Sequence, residues 1–522
     1  MAAKYKKPGV YIEEKNAFPN AVVQAATAIP AFVGYTPNVE YQGKSYLNVP
    51  TRISSWNEFQ AIYCIPQTGR DLPQQYSPNY FVQRNSKREV SANSLSFAND
   101  EYQLLPDPST IYYLYLSVQL FYINGGGDAC ILSVGTYGKV LGRPLGSNDP
   151  LINPNISLKE LLQGLSGLKK EHELTLYVFP DATLLSQENY ATLIQAVLLQ
   201  CNELRSTMGL LDVQGGNNPT EQKYLSLIES FRNNTGNIGL CYGAAYFPFL
   251  ETVVLQSEYL NFTNFFGGDL AQLSDLINPK NTNPTLTSIF EMISEVTNQS
   301  ITLNQLNSAL LRASKLYASL FAKVLGLANT LPPSGGMAGV MTMVDNSSGV
   351  WKAPANVSIA GVKDITISLT AEQQGPLNVD TVSGKSINVI RSFSGQGILV
   401  WGARTLDGNS QEYRYISVRR TLIMLEQSCQ LATKAYMFEK NDVNTWQSVK
   451  SMINNFLSNI WQEGGLAGSS TQEAFWVECG LGTTMTAQDI LDGYMIVMIR
   501  VAVTHPAEFT LLTFQQQMVT SG

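Results

Sequence analysis

Charge is scarce in this chain: Asp, Glu, Lys and Arg make up 14% of its 522 residues, against roughly 25% in ordinary soluble domains. Such a surface is either covered by partners or solvated by Gln, Asn and Ser, in which the chain is rich; the covered surface is the preferred reading. Histidine is scarcer still. His172 and His505 are the only two. Neither has cysteines or carboxylates around it at ligand spacing, so metal catalysis and histidine-based triads have no constellation to use. Cys64, Cys130, Cys201, Cys241, Cys429 and Cys479 are scattered without paired spacing. This excludes a disulfide framework, and they read as small apolar core residues kept reduced. No apolar run reaches the length of about 18 residues that marks a membrane span. Ile111–Ile123 and Tyr494–Val503 are too short, and Ala309–Leu327 carries Arg312, Lys315 and Lys323. The basic start, Met-Ala-Ala-Lys-Tyr-Lys-Lys, leads into no apolar h-region, so synthesis and assembly in the cytoplasm are expected. A net charge of −7 argues against a nucleic-acid surface.

Two glycine motifs come close to nucleotide-binding patterns and fail. Ser383-Gly-Lys-Ser386 has Val379 where a phosphate loop needs its first glycine, and the setting is not a strand-to-helix turn. Gly125-Gly-Gly127 follows a helix and precedes a strand, the reverse of the dinucleotide-binding order, and reads as a helix C-cap and tight turn. With no nucleophile-elbow serine either, the chain offers no active site and no cofactor site.

What is present is an alternation of helices and strands. Val22–Val33 reads as a buried strand entering the first core, and Thr36–Asp107 turns polar with long loops. Then come helix Ile111–Asn124, strand Cys130–Val134, helix Leu158–Leu168, strand Leu174–Phe179, helix Gln187–Cys201, strand Met208–Val213, helix Thr220–Phe231 and strand Asn237–Leu240. That order predicts an α/β layer with a mainly parallel sheet. Leu286–Leu327 is mostly helical and stops at Leu331-Pro-Pro333. Further strands are expected at Lys363–Leu369, Ile387–Ile390, Gly397–Gly402, Ala474–Cys479 and Tyr494–Val503, and helices at Tyr415–Phe438 and Val443–Gln462. The second of these helices has Trp446, Val449, Ile453, Phe456, Leu457 and Ile460 at helical spacing.

The two ends carry the most specific patterns. The first reads Lys7-Pro-Gly-Val-Tyr-Ile-Glu-Glu14, then Val22-Val-Gln-Ala-Ala-Thr-Ala-Ile-Pro-Ala-Phe-Val-Gly34. The last third carries Trp351-Lys-Ala-Pro-Ala-Asn356, Val400-Trp-Gly-Ala-Arg-Thr-Leu406, Tyr413-Arg-Tyr-Ile-Ser-Val-Arg-Arg420 and Pro506-Ala-Glu-Phe509. Together these resemble the sheath subunits of contractile injection systems: phage tail sheaths and the tail-like particles related to them. The resemblance covers roughly the first 36 and last 185 residues, in order; the middle is only loosely similar, with Tyr242–Phe249 resembling an aromatic segment of the family. Before the Trp-Lys-Ala-Pro block the family has an arginine, whereas Asn346-Ser-Ser-Gly-Val350 stands here.

The resemblance implies a mixed α/β (α+β) fold with a discontinuous sheath core domain. Residues 1–20 would be an N-terminal arm strand, 21–36 plus 334–505 the inner, tube-facing core, 37–333 the inserted outer region with an α/β layer at 111–250, and 506–522 a C-terminal arm strand. In the family, arms from two neighbours add to a central hairpin of a third subunit. The matching arm residues are Val10, Tyr11, Ile12, Glu13 and Glu14 at one end and Phe509, Leu511, Leu512, Phe514 and Met518 at the other. A lone strand such as Val10–Ile12 has to find its partner elsewhere, and about 14 extended residues reach roughly 45 Å. Lys440, Asp442 and Lys450 mark the expected tube-contact helix, whose Trp446/Phe456/Trp461 stripe reads as core packing. Arg391, Arg404, Arg414, Arg419 and Arg420 are dense for so uncharged a chain. They pair either across subunits with Glu13, Glu14 and Glu508 or inside one domain. The partners implied are further copies of the chain in hexameric layers, an inner tube protein, baseplate and cap proteins, and an AAA-type ATPase for recycling, with no nucleic acid and no membrane insertion. The alternatives are a subunit of a non-contractile filament or capsid and, in another class, an enzyme with a discontinuous α/β domain.

Overall fold

The computed structural model describes residues 21–85, 93–146, 149–294 and 301–509. The described chain divides into two compact units: residues 26–423 with 505–509, and residues 21–25 with 424–504. The division falls inside one helix, Ile416–Thr433.

A nine-stranded mixed sheet organises the larger unit. Its strands are β1 (Pro30–Thr36), β2 (Thr51–Ile53), β3 (Ala129–Thr136), β4 (Leu176–Val178), β5 (Met208–Asp212), β6 (Gly243–Phe247), β7 (Val357–Ser358), β8 (Asn388–Phe393) and β9 (Gly397–Val400). They lie in the order β7-β9-β8-β6-β5-β4-β1-β3-β2. The six from β8 to β3 are mutually parallel; β2 and β9 run antiparallel to them, and the edge strand β7 pairs antiparallel with β9. A parallel sheet buries both faces, which is why its strands read as nearly unbroken apolar runs.

The alternation along β1 shows how the two faces are filled. Phe32 meets Phe121 of helix α1 (Leu114–Ile123), ring centroids 5.4 Å apart. On the other face, Val33 lies against Gly164 of helix α2 (Leu158–Gly167), and Tyr35 bonds Glu160 of that helix. Helices α3 (Gln187–Leu204) and α4 (Tyr224–Asn234) complete the crossovers around β5.

Helix α5 (Ser334–Ser348) is buried from Ser334 through Thr342. A Cβ on its Gly339 would stand 2.5 Å from the Phe121 carbonyl oxygen, and one on Gly335 2.7 Å from that of Ser117. The Ser-Gly-Gly-Met-Ala-Gly run is therefore small because α5 packs backbone to backbone on α1. Its first turn is capped from β5. Asp212 accepts from the Ser334 N–H (2.8 Å) and hydroxyl (2.6 Å), and burial pushes its carboxyl up to about 7 despite these bonds.

Three expectations are corrected. The buried strand expected over Val22–Val33 starts only at Pro30 and runs to Thr36, with Val23 77% exposed ahead of it. The strand placed at Asn237–Leu240 forms at Gly243–Phe247, because Leu240–Tyr242 turns as a 3-10 segment before the chain enters the sheet. The helix expected over Tyr415–Phe438 ends at Thr433, with a 3-10 turn to Tyr436. The division into bodies also differs from the one expected. Strand β1 pairs with residues 129–136 and 176–178 of the middle segment, so residues 30–36 belong to the same sheet as that segment.

The smaller unit contains the end of helix α6 (Ile416–Thr433), helix α7 (Val443–Gln462) and a hairpin of β10 (Phe475–Glu478) and β11 (Met498–Val501). The α7 stripe of Trp446, Val449, Ile453, Phe456, Leu457 and Ile460 is buried, as its period requires.

Candidate assembly interface

In the smaller unit, β10 and β11 pair antiparallel, Phe475 opposite Val501 through Glu478 opposite Met498. Among the described residues neither strand has a second neighbour in that sheet. Past the end of β11, Leu466 bridges Val503 and the Ala467 N–H donates to the Ala502 carbonyl. A two-stranded sheet is marginal alone, and open edges invite another strand. The outer surface of the pair carries Trp476, with the Arg500 guanidinium 4.8 Å from its ring centroid. Both strands were expected from sequence, but their pairing was not, because residues 479–497 intervene with their own turns and a short helix, Ala487–Leu491. The alternation of Met-Ile-Arg-Val against Phe-Trp-Val-Glu was the available signal.

Of the expected tube-contact residues, Lys440 and Lys450 are exposed. Asp442 is the N-cap of α7, accepting from the Asn444 and Thr445 N–H groups at 3.0 Å. The face around Lys450 is otherwise neutral, with Gln447, Ser448, Ser451 and Asn455 exposed.

In the larger unit, the root of the C-terminal segment is fastened by Glu508. Its carboxylate accepts from Arg404 Nη2 (2.6 Å) and Nε (2.9 Å), from Asn378 Nδ2 (2.7 Å) and from the Tyr415 hydroxyl (3.0 Å). Arg404 is 3% exposed and its Nη1 also donates to the Gly408 carbonyl (3.1 Å). His505 packs edge-on against Tyr415. Burial alone would raise the Glu508 carboxyl, but the guanidinium, the amide and the hydroxyl outweigh it and hold it below the ordinary glutamate range. A depressed carboxylate contributes stability that is present above its unfolded pKa and lost as pH falls through the folded value. Acidification should therefore loosen residues 505–509 before the unit unfolds. Amide exchange at Ala507–Phe509, corrected for intrinsic rates, should accelerate in acid for the native chain, whereas in Glu508→Gln it should be fast throughout; an unchanging corrected rate in the native chain would sink the assignment.

Arg420 does for the N-terminal root what Arg404 does for the other. It donates to Asp345 of α5 at 2.9 and 2.6 Å and to the Thr27 carbonyl at 2.9 Å, while the Thr27 hydroxyl donates to the same carboxylate at 2.6 Å. Arg414 donates to the Ser410 carbonyl and lies beside Tyr415. Buried Arg419 stacks over Tyr242 and Tyr413. Arg391 bonds the Leu369 carbonyl and Gln374. Of the arm residues, only Phe509 is described, and it is exposed; Val10, Tyr11, Ile12, Glu13, Glu14, Leu511, Leu512, Phe514 and Met518 lie outside the described residues.

Lys385 of the phosphate-loop-like segment is buried and donates to the Arg232 carbonyl at 2.6 Å, so its ammonium closes a helix end. Among the described residues, no three His, Cys, Asp or Glu side chains gather as metal ligands. No helix there is long and apolar enough to cross a membrane.

Residues 409–517 match the phage tail sheath C-terminal domain. The tail sheath protein of Vibrio phage KVP40 is 31% identical over 139 residues, and that of Enterobacteria phage T4 is 25% identical over 136, each match covering 26% of this chain. The chain matches about a fifth of the length of these two relatives, 20% in each case. Likeness over the whole chain comes from solved structures. The anti-feeding prophage helical sheath in its contracted state is 25% identical, covering 98% of this chain and 100% of that one, with a TM-score of 0.58. The sheath complex of the PVC extracellular contractile injection system, also contracted, is 25% identical over 98% of both chains, with a TM-score of 0.57. A chain of the anti-feeding prophage baseplate is 26% identical over 98% of this chain and 100% of that one, with a TM-score of 0.57. These likenesses define a structural protein, of a class that is not enzymatic. The chain is similar to contractile tail sheath proteins, over residues 409–517 to those of phage tails and over 98% of its length to those of extracellular contractile injection systems.

Proposed function

We propose that this chain polymerises in hexameric layers around an inner tube and contracts by rearrangement of its subunits, driving the tube through a target envelope. One observation carries this function: a hairpin with no further strand beside it among the described residues sits in a chain that is fastened at Thr27 and at Glu508. Arms lent by two neighbours complete the hairpin as a four-stranded sheet, so copies stay tied while their compact faces exchange contacts. The smaller unit carries the tube-facing helix, α7. Baseplate and cap proteins close the ends of the cylinder, an AAA-type ATPase recycles it, and assembly takes place in the cytoplasm.

Contraction needs no nucleotide. An extra few hundred Å² of apolar surface buried per subunit releases on the order of 5–10 kcal/mol at about 25 cal/mol per Å², summed over every copy in the tube. Negative-stain microscopy of the purified full chain tests the proposal. Hollow cylinders with cog-wheel end views are expected; discrete particles that never polymerise would end it.

A further inference from the structure

We infer that Arg404 and Glu508 are positioning residues that rivet the C-terminal arm to its own subunit, and that this ion pair persists unchanged through contraction. The inference rests on the sheath function proposed above and adds where tension on the arm enters the molecule. An arm that ties one copy to another is only as strong as the place where it leaves its own body. Here that place is not a loose loop. Four donor atoms from three segments distant in sequence, at Asn378, Arg404 and Tyr415, converge on the one carboxylate two residues past Pro506. The next residue, Phe509, is 75% exposed, so the chain passes from a clamped carboxylate to an open side chain in one step.

The geometry also separates a rivet from a switch. A charge pair that exchanges partners between two assembled states has to be reachable by a neighbour. Arg404 is 3% exposed and spends its remaining Nη1 donor on the Gly408 carbonyl of its own chain, while its backbone N–H is held by the Asn388 side chain at 2.8 Å. A neighbouring copy could reach this guanidinium only after the local fold had opened. Charge-assisted forks of this kind are stronger and more directional than neutral hydrogen bonds, which suits a junction loaded along the chain.

The test compares cylinders with dispersed full-length chain. Arg404→Lys keeps the charge and loses the fork; Asn378→Ala removes one donor and leaves both charges in place. In mild guanidinium, Arg404→Lys cylinders should shed subunits about tenfold faster than native cylinders, and Asn378→Ala cylinders about threefold faster, with Arg404→Lys at the scale of one lost charge-assisted contact. The dispersed variant chains should melt somewhat lower than native, because the pair is buried, but the shedding should exceed what that loss of stability accounts for, which a purely structural role would not allow. Unchanged shedding in both variants would overturn the rivet, as would shedding that merely follows a fall in melting temperature. If the native chain itself made no cylinders, the sheath function would fail first, so the two failures are distinguishable.

Discussion

Deleting residues 1–14 should leave a chain that folds and melts as the full chain does, yet makes no cylinders. The expectation comes from where burial begins. In the described chain the first buried apolar side chain is Ile29, followed by Ala31, Phe32 and Val33 of β1. The N-terminal root is held at Thr27, well past the deletion. The described core of the larger unit therefore begins well past the deleted residues. What is lost, on the function proposed above, is the segment that would pair on a neighbour's hairpin. Each backbone hydrogen bond contributes a net of about 0.5–1.5 kcal/mol, so an added strand of five residues supplies a few kcal/mol per junction. Every layer of a cylinder repeats that junction, and losing it at each contact leaves no connected lattice. Sedimentation and negative-stain imaging at the concentration where the full chain polymerises would decide it, with thermal melting as the control. Cylinders of normal length from the truncated chain would remove the arm from the account.

How much of this was legible from residues alone depends on the kind of signal. Most of the parallel strands were found because burial on both faces leaves runs such as Cys130-Ile-Leu-Ser-Val134. Helix α7 was placed to the residue because its stripe is long and its N-cap, Asp442, is a capping type. Helix α5 was not foreseen as a helix. Gly335, Gly336 and Gly339 lower helix propensity, and only the close approach of α1, a tertiary fact, explains them. The strand at Gly243–Phe247 was misplaced for a related reason, since Gly243-Ala-Ala is weakly β-favouring and gives little local signal.

The candidate interface divides in the same way. The cluster of arginines stood out by composition, and Glu508 was already among the acids considered for it. Asp345, the partner of Arg420, was not, because it lies in a helix of small residues 75 positions away. Nothing local marks such a pair; only the fold brings Thr27, Asp345 and Arg420 together.

That triad gives the second large effect. Arg420→Leu should cost the larger unit about 3–5 kcal/mol, because removing one partner of a buried pair leaves the other charge uncompensated. The Asp345 side chain is 5% exposed and would keep only the Thr27 hydroxyl as donor, while the Thr27 carbonyl would lose the guanidinium. The pair is not ideal even in the native chain, since Arg420 Nε has no hydrogen-bond partner among the described residues. Removing both charges should therefore cost much less than removing one. Arg420→Leu combined with Asp345→Leu is expected to recover more than half of the single-variant loss, in line with other buried ion pairs replaced by apolar side chains. Denaturant unfolding of the four chains, with their m-values, closes the cycle. The recovered double variant should still assemble poorly, because the chain near Thr27 would then leave the body without its clamp. A single variant that loses less than about 1 kcal/mol would mean that solvent already reaches Asp345, and that the N-terminal arm has no fixed root.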